Sequence, residues 1–503
     1  MIKLKNKLVS DSFWGILAKI IDAGAKFFTI PMLVGYYGKS DYGLIALVFS
    51  LNAYMRLMDM GINIGSIRFF SLWIKESDYQ QISEVSRSSV TFYGVLGVIN
   101  AIVFFILANF GVELFGINES QVDVFKSIMY ILAITTIFEW ASNVVNQLLI
   151  ANDKIGWVSR VKIFSNVCML ISALLAINYF FSLELYFFFY TISMLIIIPL
   201  NIYKLNSYQL PLLSLILPGW NWYPFRKILK YSLAIFAMGI FQMTANNLRP
   251  LLLGRFSRDG VEVLTDYRVI QTIAMLVIAI GGVFMQVLLP STSKHYADGN
   301  QRKLDEIVYD GTKYITLLLS LIVFILCLNA KLILYIYMGE GYDDLALWLI
   351  IWLITVLLSM HNAPVASLVL ATGKTKFLVY SSAIACVASI PITIILAYNY
   401  NVGAAVIGYA VYMIFQIGFY YFYYTNKVLK FNSRRLFFQS FFPPALIGTG
   451  SWVLTAFVFS IIKLDNIYFE LLLRSVLFVI LFLVFSFKLI IKPKDLKSLI
   501  RKQ

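Results

Sequence analysis

Apolar runs of 20 residues or more alternate with short polar breaks along the whole chain. About 20 apolar residues cross the hydrocarbon core of a bilayer as a helix, and these runs lack the alternation of a transmembrane β-strand. The pattern therefore predicts an all-α, polytopic helical membrane protein with about fourteen spans. The predicted spans are residues 12–37, 42–72, 85–112, 122–150, 158–178, 184–204, 230–254, 264–290, 312–336, 345–370, 376–398, 402–424, 438–462 and 468–490.

An internal repeat divides these spans into two groups of six. The segment Pro31-Met32-Leu33-Val34-Gly35 recurs as Pro250-Leu251-Leu252-Leu253-Gly254, and Ala151-Asn152-Asp153-Lys154 recurs as Ala371-Thr372-Gly373-Lys374, at offsets of 219 and 220. Halves with six spans each have the same orientation, which is the parallel repeat known from transporters. The sequence predicts an N-terminal lobe (1–205), a cytoplasmic connecting segment (206–229), a C-terminal lobe (230–425), and spans thirteen and fourteen with a basic cytoplasmic tail (426–503).

Composition agrees with a membrane protein and excludes a soluble enzyme. The 503 residues are 60% hydrophobic and only 13% charged, whereas soluble domains are roughly 25% charged. The net charge of +15 comes from 41 Lys and Arg against 26 Asp and Glu, and we interpret it as an orientation signal, since the chain lacks the basic-aromatic loops of nucleic-acid binders. Cys168, Cys327 and Cys386 lie inside apolar runs without metal-ligand or disulfide spacing.

The distribution of basic residues predicts the topology. Of the 41, seven fall on the side opposite the termini and six fall within spans, which leaves 28 on the side of the termini. This bias places both termini in the cytoplasm. The seven are Lys39, Arg255, Arg258, Arg268, Lys331, Lys463 and Arg474, and the six are Lys19, Lys26, Arg56, Arg68, Lys126 and Arg249.

Polar residues within the spans recur at helical spacing. Residues three or four apart share one helical face, and four spans carry such a stripe. The stripes are Lys19, Asp22 and Lys26 in span one; Asn52, Arg56, Asp59 and Asn63 in span two; Glu139, Asn143 and Asn146 in span four; and Gln242, Asn246 and Arg249 in span seven.

Two interpretations of the stripes stay open. Lys19–Asp22 and Arg56–Asp59 are spaced to form ion pairs that only hold helices together, while Arg68 and Lys126 lie near span ends and are placed to snorkel. Alternatively, the excess of Lys and Arg lines a wet cavity for an anionic ligand such as a phosphate. In that reading Lys19, Lys26, Arg56, Arg249, Asn52, Asn63, Gln242 and Asn246 bind substrate.

The remaining intramembrane features concern coupling and motion. Asp22, Asp59 and Glu139 are the carboxylates well inside the spans, so we expect a coupling proton or sodium ion to use one of them. Pro31 and Pro250 occupy equivalent repeat positions and are predicted to bend spans one and seven, either as static kinks or as hinges. His361 is expected to be structural, and the run Tyr420-Tyr421-Phe422-Tyr423-Tyr424 to form an interfacial belt.

No catalytic motif is recognisable in the sequence. A Walker motif, a G-x-G-x-x-G segment after a strand and a His cluster of metal spacing are all missing, and the chain has two histidines. We therefore expect neither an enzyme nor a cofactor or metal site.

Several segments resemble the polysaccharide flippases of the multidrug/oligosaccharidyl-lipid/polysaccharide exporter superfamily. They are F-W-x-x-x-x-K in span one, "PMLVGYYGKSDYG" (Pro31 to Gly43) and "RLMDMGINIGSIRFF" (Arg56 to Phe70). The resemblance implies two lobes packed as an inverted V, and cationic residues of the first two helices in contact with a lipid diphosphate. Lys19, Lys26 and Arg56 match those positions, with Lys at two of them where relatives tend to have Arg.

The resemblance implies translocation of undecaprenyl-diphosphate-linked oligosaccharide repeat units from the cytoplasmic to the outer leaflet, for O-antigen, capsule or exopolysaccharide synthesis. It also implies a bacterial inner-membrane location, lipids as partners, and a polysaccharide polymerase and chain-length regulator as further partners. An ion-coupled multidrug antiporter is the first alternative, although it predicts an acidic cavity. A membrane glycan polymerase is the second, although it needs a large outer loop.

Overall fold

The structure is a computed structural model, and it describes residues 2–206, 212–373, 376–462 and 464–490. Residues 207–211 of the predicted connecting segment, Lys374 of the repeat, Lys463 and the basic tail from residue 491 lie outside these ranges. Packing divides the chain into two compact units. Unit 1 comprises residues 1–268 and 397–401, and unit 2 comprises residues 269–396 and 402–503.

The described residues of unit 1 form nine helices and the first residues of a tenth. The helices are α1 (Ile2–Met55), α2 (Ile62–Glu76), α3 (Tyr79–Phe115), α4 (Val122–Ala151), α5 (Ile155–Asn178), α6 (Leu183–Leu195), α7 (Ile197–Leu205), α8 (Leu212–Ile216), α9 (Trp222–Phe256) and the start of α10 (Val263–Ala297). Short 3₁₀ turns at Arg56–Asp59, Glu119–Gln121 and Gly260–Glu262 connect some of them. The core includes the aromatic side chains of Phe70, Trp73, Trp140 and Phe225.

Unit 2 contains the rest of α10 and most of the chain that follows. Its helices are α11 (Gln301–Asp305), α12 (Gly311–Leu328), α13 (Ala330–Met338), α14 (Ala346–Met360), α15 (Ala363–Thr372), α16 (Lys376–Tyr400, whose last residues belong to unit 1), α17 (Val402–Phe419), α18 (Ser433–Arg435), α19 (Phe442–Ile461) and α20 (Ile467–Leu489). Asp343–Leu345 is a 3₁₀ turn, and Glu306–Asp310, Tyr420–Val428 and Leu436–Phe441 are π-helical.

Polar residues set the ends of the helices. The Asp78 side chain accepts the backbone N–H of Gln81 at the start of α3, and Asn466 accepts those of Tyr468 and Phe469 at the start of α20. These contacts satisfy N–H groups that have no partner within the helix. Gly116 ends α3 in the left-handed conformation (φ 59°), which glycine adopts without strain.

The all-α, polytopic prediction is confirmed. Among the described residues, eleven helices are long and apolar enough to cross a membrane. Of the three other predicted spans, 12–37 lies in α1 before Gly38 and 230–254 lies in α9. The third, 42–72, comprises the rest of α1, the 3₁₀ turn at Arg56–Asp59 and most of α2. Exposed apolar side chains such as Phe110 (70%) and Phe457 (65%) fit a surface that faces lipid.

One matched position of the second repeat has the same left-handed backbone conformation in both members. Asp153 follows the end of α4 and Gly373 follows the end of α15, and both have positive φ, at 56° and 67°. Their spacing is the 220 residues of the repeat offset. Both turns therefore place a left-handed residue at the matched position, although its identity differs. The division into predicted lobes at residues 205 and 230 stays a prediction.

Glycines of the resembling segments allow close helix contacts within unit 1. A Cβ on Gly43 would lie 2.7 Å from the carbonyl oxygen of Val261, and one on Gly61 would lie 2.9 Å from that of Ser232. Gly61 also has a positive φ of 72°. Gly65 lies against Ser232 and Ile228 of α9. The glycines therefore lie at two close contacts, one between α1 and the 260–262 turn and one between α2 and α9.

Candidate substrate-binding site

The stripe of span one lies on α1, as predicted, but its ion pair is not the predicted one. Lys26 Nζ lies 2.6 Å from Asp22 Oδ2, so Asp22 pairs with the lysine one turn later instead of with Lys19. The Lys26 side chain is 64% exposed, and Lys19 is exposed two turns earlier. Both ammonium groups are thus accessible to a ligand.

Span two is interrupted in its middle. The helix gives way to a 3₁₀ turn at Arg56–Asp59, and Met60 and Gly61 follow in the left-handed conformation before α2 begins. Arg56 and Asp59 therefore do not pair, and they have partners on different helices. Arg56 forms an ion pair with Glu139 of α4, and Asp59 accepts a hydrogen bond of 2.6 Å from Tyr93 Oη of α3.

Asp59 belongs to a polar network that reaches into the core of unit 1. Besides Tyr93, it accepts the backbone N–H of Asn63 at 3.3 Å. Gln147 of α4 donates its side-chain amide to the Tyr93 hydroxyl at 2.9 Å, and both Tyr93 and Gln147 are buried. Asn63 itself has an exposed side chain, and Asn52 is half-buried one turn before Arg56.

Lys162 of α5 also belongs to the site, although its place near the start of predicted span five indicates a cytoplasmic loop. It interacts electrostatically with Asp22, Lys26, Arg56 and Glu139. We call these five residues the charge cluster. Three basic groups against two carboxylates leave it with a net positive charge. The partly buried Tyr190 of α6 also interacts electrostatically with Arg56, Glu139 and Asp22.

The stripe of span seven lies on α9, but its arginine is buried. Arg249 is only 3% exposed and donates to Asn246 Oδ1 at 2.9 Å, whereas Gln242 and Asn246 are exposed. Arg249 and Arg268 interact electrostatically with Tyr267 of α10. Arg268 itself donates to Ser50 Oγ at 3.0 Å. These contacts link Arg249 to Asn246 and to the start of α10.

Helix α1 continues through Pro31 and α9 continues through Pro250. The backbone of α1 instead leaves the helical region at Gly38 (φ 87°, ψ 167°), seven residues after Pro31. The break in this helix is thus at a glycine, where a positive φ carries no steric penalty. The role of the two prolines as hinges stays a prediction.

Outside the charge cluster, the stripe of span four and the aromatic run contribute polar contacts within the protein. Asn146 Oδ1 accepts from Asn201 Nδ2 at 2.6 Å. His361 is buried between α14 and α15 and lies 2.8 Å from the Tyr421 hydroxyl, which agrees with a structural role. Tyr424 is fully buried and Phe422 is 82% exposed, so the run is divided between the protein interior and the surface. Its role as an interfacial belt stays a prediction.

A metal site is not evident in the part of the chain that the structure describes. No group of three or more His, Cys, Asp or Glu side chains there is arranged to hold a metal ion. The three cysteines are free thiols, two of them buried.

Comparison with known proteins places these features in a family. A model of the family described as "polysaccharide biosynthesis protein" matches residues 37–347, which is more than half of the chain. The chain belongs to this family. Among the curated proteins searched, none matches the chain.

The family member described here has the fold of several solved transporters. It is similar to the lipid II flippase MurJ in an inward closed conformation, with a TM-score of 0.73, 14% identity and coverage of 93% of this chain and 97% of that one. It is also similar to an inward-facing multidrug-resistance MATE transporter of the MOP superfamily, with a TM-score of 0.65, 15% identity and coverage of 79% and 92%. A MOP-superfamily transporter from Pyrococcus furiosus gives a TM-score of 0.60 at 14% identity, with coverage of 82% and 94%. The resemblance stated from the sequence is therefore confirmed for family and fold.

Proposed function

We propose that this polysaccharide biosynthesis protein is a flippase that moves an isoprenoid-diphosphate-linked oligosaccharide across the membrane. The observation that carries the proposal is the charge cluster of Asp22, Lys26, Arg56, Glu139 and Lys162. Helix α1, the 3₁₀ turn at Arg56–Asp59 and α5 bring basic side chains together in a protein of the MurJ and MATE fold, and the family name points to polysaccharide synthesis.

The chemistry of the cluster suits a diphosphate. Arg56 offers a planar guanidinium that binds two phosphate oxygens at once, while Lys26 and Lys162 act as point charges. The Arg56 and Lys26 side chains are 54% and 64% exposed although both are ion-paired. Ion pairs this accessible contribute little stability, so an incoming anion can replace the carboxylates at low cost.

This exchange of partners suggests how transport is coupled to an ion. When a diphosphate binds Arg56 and Lys26, the carboxylates of Glu139 and Asp22 lose their basic partners. A proton or sodium ion then compensates their charge. Asp59 is held by Tyr93 and Asn63, so we assign the coupling role to Glu139 and Asp22 before Asp59.

The other predicted binding residues have supporting roles in this proposal. Lys19 and Asn52 lie on α1 and Asn63 lies at the start of α2, and in this proposal they contact the sugars or phosphates. Gln242 and Asn246 are exposed on α9, and the buried Arg249 orients Asn246 through its hydrogen bond. The proposal further places the protein in a bacterial inner membrane with cytoplasmic termini, without enzymatic activity, in O-antigen, capsule or exopolysaccharide synthesis.

Reconstitution tests the proposal. Proteoliposomes with a fluorescent undecaprenyl-diphosphate-linked oligosaccharide are followed as the label becomes accessible on the opposite leaflet. A hydrogen bond to a charged group contributes roughly 1.5–3 kcal/mol, so we expect Arg56→Ala and Lys162→Ala each to lower the rate about tenfold or more. Arg302→Ala, at a 91% exposed arginine of α11, serves as the matched control with parental rate.

Two results would contradict the proposal. The first is no translocation by the parental protein, and the second is parental rates for both cluster variants. Transport of cationic dyes by the same proteoliposomes, without transport of the lipid, would favour the multidrug antiporter instead.

A further inference from the structure

The segment that precedes α9 is fixed to α3 by a row of hydrogen bonds. Ser83 and Ser86 of α3 donate to the carbonyls of Ser214 and Leu215, and Thr91 donates to that of Gly219 at 2.7 Å. The backbone N–H of Asn221 donates to Ser88 Oγ at 2.9 Å, and its side chain donates to Glu84 at 2.8 Å. The segment 214–222 is therefore a rigid wall along this end of α3.

An apolar groove of about 450 Å³ lies between this wall and the helices of unit 1. This volume is within the range of roughly 300–1,000 Å³ that ligand sites occupy. Gly94 leaves room in the groove, since a Cβ there would meet no atom within 4 Å. The lining residues are Val90, Thr91, Gly94, Val95, Val98 and Ile99 of α3, Ala141 of α4 and Pro218 of the wall.

The end of the groove at Pro218 is basic and aromatic. The exposed Arg87 donates to the Pro218 carbonyl at 3.3 Å, which leaves its other N–H groups for a ligand. Arg226 and Lys227 are exposed just beyond, in the first turns of α9. Trp220 and Trp222 stack with ring centroids 6.1 Å apart and remain about half exposed.

This combination is the arrangement that a phospholipid requires. Tryptophans mark the level of the headgroups, basic side chains attract anionic lipids, and an apolar groove takes an acyl chain. We propose that the groove between α3, α4 and the 214–222 wall binds an anionic phospholipid of the surrounding bilayer, with its phosphate at Arg87 and one acyl chain along Val90–Ile99. The residues that line this site are not members of the charge cluster. In the proposal its lipid is a resident of the membrane, not the transported substrate.

Photo-crosslinking in nanodiscs tests this proposal on the full chain. Phosphatidylglycerol and phosphatidylcholine probes, each with a photoreactive acyl chain, are compared by mapping labelled peptides with mass spectrometry. We expect the phosphatidylglycerol probe to label residues 90–99 preferentially. Arg87→Ala should lower that preference about fivefold, the factor that corresponds to about 1 kcal/mol for one basic residue near the headgroups.

Two further variants separate the groove from the general lipid surface. Val95→Trp fills the groove at a residue that is 54% exposed, and Ile102→Trp adds the same bulk two turns further along α3 at a residue that is 52% exposed outside it. Val95→Trp should abolish the labelling of 90–99 and Ile102→Trp should not. Equal labelling by both lipids, or labelling that Val95→Trp leaves unchanged, would overturn the proposal. The proposal would also be overturned if a co-purifying protein occupied this groove and excluded both lipid probes.

Discussion

The close contact at Gly43 leads to a quantitative prediction for stability. In Gly43→Ala the new Cβ would lie 2.7 Å from the Val261 carbonyl oxygen and 3.1 Å from the Glu262 Cα. Both are backbone atoms, so α1 or the 260–262 turn has to move instead of a flexible side chain. Overpacking of this kind typically destabilises a protein by about 1–3 kcal/mol.

The matched control is Gly24→Ala in the same helix. A Cβ on Gly24 would meet no atom within 4 Å. Both substitutions gain the helix propensity of alanine over glycine, about 1 kcal/mol. The difference between the two variants therefore isolates the steric term, and we expect Gly43→Ala to be about 1–3 kcal/mol less stable than Gly24→Ala.

Thermal unfolding in detergent measures this difference. Cys327 and Cys386 are buried (3% and 4% exposed), so a dye that becomes fluorescent on reaction with thiols reports when the fold opens. The expected order of melting temperatures is Gly24→Ala, the parental protein, and Gly43→Ala from highest to lowest. If Gly43→Ala melted at or above Gly24→Ala, the close approach of α1 to the 260–262 turn would be refuted.

Two further stability predictions use the same assay. Tyr93→Phe removes the hydroxyl that donates to Asp59, and we expect the free energy of unfolding to fall by about 1–3 kcal/mol. Tyr203→Phe, at a tyrosine that is 75% exposed, is the control and should leave the melting temperature unchanged. Equal melting temperatures for the two variants would contradict the network. His361→Ala leaves a cavity beside Tyr421, and we expect the free energy of unfolding to fall by about 2–5 kcal/mol. An unchanged melting temperature would show that His361 does not contribute to packing.

The helices and their polar stripes could be predicted from the sequence because both depend on local patterns. Runs of apolar residues define the spans, and spacings of three or four place side chains on one face. The stripe of span one follows this rule, since Lys26 lies beside Asp22. The partners of Arg56 and Asp59 could not be predicted in this way, because the 3₁₀ turn at Arg56–Asp59 ends the regular spacing.

Long-range packing decides the other differences. Glu139 is 83 positions from Arg56 in the sequence, and no local pattern relates the two. Lys162 was counted with the loops because predicted span five begins only four residues earlier, yet α5 begins at Ile155 and places Lys162 two turns into the helix. A basic residue near a span end can thus belong to a site, and only its neighbours distinguish it from a snorkelling one.

The interruption of span two has an electrical consequence. The carbonyl groups at the end of a helix together act as about half a negative elementary charge, and the N–H groups at the start of a helix act as about half a positive one. The end of α1 is therefore negative and the start of α2 is positive. Arg56 lies at the negative end, and Asp59 accepts the Asn63 N–H at the positive end. Each dipole end is met by a charge of opposite sign. The broken helix therefore holds a cation and an anion at the middle of a predicted span at a lower electrostatic cost than an unbroken helix.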